Sequence, residues 1–166
     1  MNYNFINMNR GYANKIKTWE YEGEYSIYSY INDECLLDEN NWNCIFAVLD
    51  EDNNLIAEVT FYNNDAPDEL EHPFTDFDMF YGQGMKPNFT GRGYGPELVS
   101  QSIKFGIEYF NYKRKFVYLD VLTFNKRAFK AYKKAGFEFV KEYSEEYEGD
   151  VYEFIRMRYK NPKAEV

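Results

Sequence analysis

The sequence predicts a mixed α/β fold in which helices pack on a mixed sheet. The first observation behind this is the order of periodicities: β-rich segments come first, then a helix, a strand, a second helix and two closing strands. That order differs from the regular strand-helix alternation of an all-parallel, doubly wound sheet. The second is size: 166 residues, 45% of them hydrophobic, suffice for one core without metal or disulfide staples, so residues 1–166 are expected to form a single domain.

Residues 2–8 fit a short first strand. Ala13, Ile16 and Trp19 recur at helical spacing. Residues 28–37 suggest a second helix, and the string 23–30 fits helix or loop equally. An apolar β-rich run, 44–49, is followed by the turn-forming Asp50-Glu51-Asp52-Asn53-Asn54 and a second run, 55–62, which together read as a hairpin. An acidic loop follows, with Asp65, Asp68, Glu69 and Glu71 between Pro67 and Pro73 or just before them, and β character resumes over 75–85. Over 96–110, Val99, Ile103, Gly106, Ile107 and Phe110 share one face at steps of three and four, which is an amphipathic helix. Val117, Leu119 and Val121 alternate with Tyr118 and Asp120 in a strand over 116–122. Asn125 then caps a helix that runs to Ala135 and stops at Gly136. Strands near 137–142 and 151–158 close the chain.

The formal charge of −9 argues against nucleic acid as a partner, because proteins that hold a phosphate backbone present basic surface. It suits a cationic amine instead. Cys35 and Cys44 form no CxxC pattern and have no neighbouring His, so neither a disulfide scaffold nor a metal site is indicated. No apolar run approaches the length of a membrane span and the first residues do not resemble an export signal, so a cytoplasmic protein is expected, with no membrane partner. With 17 Tyr and 15 Phe, aromatic surface pairing into a homodimer is a further expectation.

Thr90-Gly91-Arg92-Gly93-Tyr94-Gly95 joins a strand to a helix. Glycines there permit positive φ and bring several N–H groups toward one ligand at the positive end of a helix dipole, while Arg92 adds a fixed charge. A pyrophosphate would suit such a turn; so would no ligand at all, if the glycines serve only a tight reversal. The spacing is G-x-G-x-G, which fits neither the dinucleotide fingerprint nor a nucleotide-triphosphate loop.

Here the chain resembles the GNAT superfamily of N-acetyltransferases, whose pattern is Arg/Gln-x-x-Gly-x-Gly/Ala after the fourth strand. Thr90-x-x-Gly93-x-Gly95 matches it except at the first position, where Thr90 implies that one bond to the pyrophosphate is missing or is made by a hydroxyl instead. Residues 125–137, from Asn125 through Tyr132 to Gly136-Phe137, resemble the family's next helix. The resemblance implies a central mixed, mostly antiparallel, twisted sheet of six to seven strands with helices on both faces. It also implies acetyl-CoA as co-substrate, bound by Met85 at the end of the fourth strand, by Gly91, Arg92, Gly93, Tyr94 and Gly95, and by Asn125 and Tyr132. Seven helical steps return to nearly the same face, so Asn125 and Tyr132 can serve one elongated ligand. An ordinary helix cap and an ordinary core ring are the plainer roles for them. The cap uses the side-chain oxygen, and the NH₂ group is a separate donor. Gly82 and Gly84 fit a strand approached closely by another backbone or ligand, or simply a twisted strand.

What the resemblance implies chemically is direct transfer: an amine attacks the thioester, a strand amide near Met85 holds the oxyanion, and Tyr132 protonates the departing thiolate. For the base, Asp78, Asp76 and Glu58 are the candidates, with Asp78 put first; Phe80 stands where the family often has an acid. His72, the single His, sits in the acidic loop, where exposure is its plain role. That loop either recruits a cationic acceptor or is a solvated charge run. The acceptor is a small molecule or a peptide amine. A non-catalytic acyl-CoA-binding or regulatory module of the same fold is the alternative to an enzyme.

Overall fold

The computed structural model describes residues 1–68, 70 and 72–165; Glu69 and Glu71 of the acidic loop lie outside the described residues. Among the described residues seven strands take the order β1-β2-β3-β4-β5-β7-β6. They are β1 (Asn4–Asn7), β2 (Ile45–Leu49), β3 (Leu55–Tyr62), β4 (Met79–Met85), β5 (Phe116–Leu122), β6 (Glu138–Tyr147) and β7 (Asp150–Lys160). The helices are α1 (Arg10–Ile16), α2 (Glu34–Leu37), α3 (Gly95–Tyr109) and α4 (Lys126–Lys134). The chain forms two compact units, Met1–Thr60 with Gln83–Tyr94, and Phe61–Gly82 with Gly95–Val166.

In the first unit, β1 pairs antiparallel with β2, and β2 with β3. All five residues of β2 are buried, as an apolar strand with both faces covered must be. The β2–β3 turn is closed by Asp50, whose carboxylate accepts from the N–H groups of Asp52 and Asn54, each at 2.9 Å. Asn9 caps α1 by accepting from the Tyr12 N–H at 2.9 Å. The core joins Met8, Ala13, Ile16, Trp19, Tyr30, Leu36, Ile45 and Ala47. Each large apolar side chain there contributes about 1.5–3 kcal/mol of burial.

The helix expected over 28–37 is not continuous. A 3₁₀ turn, Gly23–Tyr28, is followed by an extended Ser29 and, after a bend, by the single turn of α2. Tertiary contacts set this path: the Tyr30 N–H donates to the Trp19 carbonyl at 3.1 Å, and its ring packs edge-on to Trp19 with centroids 6.0 Å apart. An N–H spent that way cannot continue a helix.

In the second unit, β5 and β7 are antiparallel from Phe116↔Lys160 to Leu122↔Phe154, and β6 pairs antiparallel with β7. A parallel pair joins β4 to β5 through Met79↔Val117 and Phe80↔Tyr118. Val117, Leu119 and Val121 are buried, as the alternation predicts. Leu98, Val99, Ile103 and Ile107 bury the apolar face of α3. On the other face of β5, Asp120 takes both N–H arms of Arg156 at 2.8 and 2.9 Å and the Tyr143 hydroxyl at 2.8 Å.

Two boundaries differ from the sequence reading. Strand β4 begins at Met79 rather than near residue 75, because the Phe77 N–H turns back to the Pro73 carbonyl at 3.1 Å while Phe74 packs edge-on against Phe110 at 4.9 Å. Strands β6 and β7 run on to a two-residue turn, Glu148 (φ 51°) and Gly149 (φ 84°). Positive φ at both positions matches the twist of a tight hairpin.

Candidate active site

The first unit gathers most of the candidate residues around the end of β4. Glu58 is the one acid in the apolar run of β3, Leu-Ile-Ala-Glu-Val-Thr-Phe-Tyr, and it is only 8% exposed. Both of its oxygens are engaged: Oε1 accepts from the Tyr30 hydroxyl at 2.8 Å and Oε2 from the Thr60 hydroxyl at 2.9 Å. Burial pushes its pKa up to about 7, the two hydroxyl bonds pull the other way, and the Asp33 charge adds a smaller upward push. A carboxyl so placed can exist in either protonation state near neutral pH.

Tyr30 reaches β4 itself. A Cβ at Gly84 would lie 1.6 Å from the Tyr30 hydroxyl oxygen, so no side chain other than hydrogen fits there while Tyr30 holds its place. The Tyr21 hydroxyl donates to the carbonyl of the next residue, Met85. One residue further, the Lys86 N–H donates to the Ile56 carbonyl on β3 at 2.7 Å. The end of β4 is therefore bonded by Tyr21 at Met85, closely approached by Tyr30 at Gly84, and tied to β3 by a main-chain bond just beyond it.

Downstream of it, Pro87–Phe89 forms a 3₁₀ turn and the glycine turn follows. The Thr90 hydroxyl donates to the Pro87 carbonyl at 2.7 Å, so its proton is committed within the turn. Gly91 and Gly93 have φ of 71° and 84°, the positive values predicted from the sequence. Nothing among the described residues lies within 4 Å of the place a Gly93 side chain would start. The Arg92 guanidinium rests 5.9 Å from the centre of the Phe89 ring, which is in turn 6.0 Å from that of Tyr94. A turn with positive-φ glycines, open space over one of them and a guanidinium alongside fits an anionic group.

The second unit carries Gly95, Asn125, Tyr132 and Asp78. Gly95 opens α3, and a Cβ there would approach Ala131 on α4 to 3.2 Å. Asn125 caps α4, its side-chain oxygen accepting from the Ala128 N–H at 3.1 Å. Tyr132 is 8% exposed and packs edge-on to Phe137 at 6.0 Å. Asp78 accepts from Arg114 Nε at 2.8 Å in a half-exposed ion pair. A proton taken up by Asp78 would weaken that pair. Among the described residues no cluster of His, Cys, Asp and Glu could hold a metal ion, and no helix is long and apolar enough to cross a membrane.

Sequence reasoning weighs Glu58 without preferring it, and it misses Tyr21, Tyr30 and Thr60. A charge inside an otherwise apolar strand is the available signal for Glu58. For the two tyrosines there is none, because 17 tyrosines mask any single one and their partners lie 28 and 64 residues away.

A sequence model of the acetyltransferase (GNAT) family matches residues 11–137. In sequence, no curated protein matches the chain. Solved structures do: a chimera of the Vibrio cholerae spermidine N-acetyltransferase SpeG and hSSAT superposes with a TM-score of 0.70 at 21% identity, over 96% of this chain and 96% of that one. The spermidine N-acetyltransferase from Vibrio cholerae in complex with CoA and spermine does so with a TM-score of 0.68 at 20% identity, over 97% and 96% of the two chains. At these identities the structural likeness speaks for the fold, and the family match, spanning most of the chain, speaks for the chemistry. The chain belongs to the acetyltransferase (GNAT) family and is an N-acetyltransferase that moves an acetyl group from acetyl-CoA to an amine.

Proposed function

We propose that the acceptor is a primary amine on a small polycation, attacked directly, with Glu58 taking the proton of the amine and Tyr132 supplying one to the departing thiolate. The observation that carries this reading is the Glu58 carboxyl: buried, fixed by two hydroxyls, adjacent through Tyr30 to Gly84, and pushed up to about 7. An alkylammonium has a pKa near that of lysine, about 10.4, so it must shed a proton before its lone pair can attack. A base poised near neutral pH is suited to receive it. Glu58 serves better than Asp78, which would weaken its pair with Arg114 by taking a proton.

In the step itself the amine nitrogen forms a bond to the thioester carbonyl carbon and the carbon–sulfur bond breaks. Glu58 takes the ammonium proton before attack and releases it to solvent, then takes the second N–H proton as the adduct becomes the amide. The thiolate takes one from the Tyr132 hydroxyl, which regains its proton from solvent. Met85, the glycine turn with Arg92, Gly93 and Tyr94, then Gly95 and Asn125, are the residues proposed to hold the co-substrate. The polycation assignment draws on the formal charge of −9 and on the Asp33 charge beside Glu58. Spermidine and spermine, named with the solved structures above, are its natural first probes.

The test is a pH–rate profile of kcat/KM with acetyl-CoA and spermidine. Wild type should lose activity below about pH 7 as Glu58 protonates. Glu58→Gln should erase that acid limb and lower the plateau by about 100-fold, and Tyr132→Phe should lower kcat by a similar factor while sparing acetyl-CoA affinity. An unchanged limb in Glu58→Gln refutes the base, and an unchanged kcat in Tyr132→Phe refutes the acid.

A further inference from the structure

Taking Glu58 as the base, we infer that Tyr30 is a positioning residue that fixes the carboxyl of Glu58 beside β4, and that residue 84 is glycine because the Tyr30 hydroxyl occupies the space of its side chain. The proposal rests on the Glu58 reading and extends it to a residue that neither the family match nor the glycine and Asn motifs point to.

Tyr30 is held rigidly before it touches Glu58. It is 8% exposed, its N–H is bonded to the Trp19 carbonyl at 3.1 Å, and its ring lies against Trp19 at 6.0 Å and Tyr21 at 6.5 Å. A phenol fixed by its own ring contacts delivers its hydroxyl with little rotational freedom left to lose. That hydroxyl then meets two things at once: Glu58 Oε1 at 2.8 Å and the open side of Gly84, where even a methyl group would collide with it. Thr60 holds the second oxygen, so the plane of the carboxyl is set by two donors, one on β3 itself and one from the segment before α2. Tyr21, from the same segment as Tyr30, holds the Met85 carbonyl. One short stretch of chain thus fixes both the base and the strand end that the co-substrate is proposed to pair with.

The groups that face Glu58 are Tyr30, Thr60 and the Asp33 charge, with Tyr21 behind Tyr30. Burial, then the Glu58 charge, holds the Tyr30 proton well above the ordinary tyrosine range, so Tyr30 remains a donor across the working pH. A donor to a carboxylate stabilises its ionised form. Removing it should raise the pH at which Glu58 becomes a base.

The experiment compares pH–rate profiles of kcat/KM for spermidine in wild type, Tyr30→Phe, Gly84→Ala and Glu58→Gln, with a ¹³C NMR titration of the Glu58 carboxyl in the folded apoprotein. Tyr30→Phe should move the acid limb and the NMR titration upward by about one pH unit, the worth of a hydrogen bond to a charged group. Gly84→Ala, which displaces the hydroxyl while leaving Tyr30 in the chain, should move them in the same direction. A limb erased by Glu58→Gln but unmoved in Tyr30→Phe, with an unmoved titration, overturns the positioning role alone. A limb that survives Glu58→Gln overturns the base itself, and the positioning role with it.

Discussion

At the scale of single residues, Gly93 offers a clean separation of backbone from charge. Its φ of 84° is strained for most side chains but tolerated by Asn and Asp, and the space over its α-carbon is open. Gly93→Asn should therefore keep most acetyl-CoA affinity, whereas Gly93→Asp places a negative charge where a phosphate is proposed to sit and should weaken binding about tenfold or more. Calorimetric titration of the two variants decides it, and equal losses would count against an anion at the turn. Residues of this kind are legible because their signal is local: a glycine needed for positive φ, or Asn125 ahead of an apolar-periodic run, announces itself within a few positions. Glu58 can be suspected from one window of β3, but its bond to Tyr30, on which the proposed positioning rests, lies in no short window.

Elements show the same division. Strands β3 and β5 fall where the sequence places them, since an apolar run and a clean alternation leave one reading each. The polar end of β6, Tyr-Ser-Glu-Glu-Tyr, escapes a sequence reading because a strand exposed along most of its length has no alternation to show; its pairing with β7 supplies the order. The segment ahead of α2 misleads for the opposite reason, as tertiary bonds to Trp19 and Glu58 override a helical pattern. Past the end of β7, buried Asn161 donates to the carbonyls of Tyr112 and Arg114 at 2.9 and 3.0 Å and accepts from the Lys163 N–H at 2.9 Å. Asn161→Ala strands both carbonyls and should cost about 2–4 kcal/mol, read as a lower midpoint in urea with an unchanged slope. A loss below about 0.5 kcal/mol would mean that water takes over both bonds.

For the molecule as a whole, the dominant long-range property is charge. At −9, a polycation is drawn in from solution before any contact is made, and that attraction is screened within about 10 Å at 0.1 M salt. We expect kcat/KM for spermidine to fall several-fold as salt rises from about 0.05 to 0.5 M, while that for a monoamine of similar length falls less. Equal slopes for the two amines would assign the effect to acetyl-CoA or to the fold.

The hairpin of β6 and β7 has one more consequence. Its ladder runs from Glu138↔Arg158 to Tyr147↔Asp150, with one register shift between Phe139 and Lys141 and unbroken pairing from Lys141 to the turn, and the Glu148-Gly149 reversal beyond it is exposed. Register is thus written into the strands, and the reversal only has to return the chain. This makes it the natural place to graft an epitope or a fluorophore-binding peptide, lengthening the polypeptide where the pairing beneath it already closes the loop.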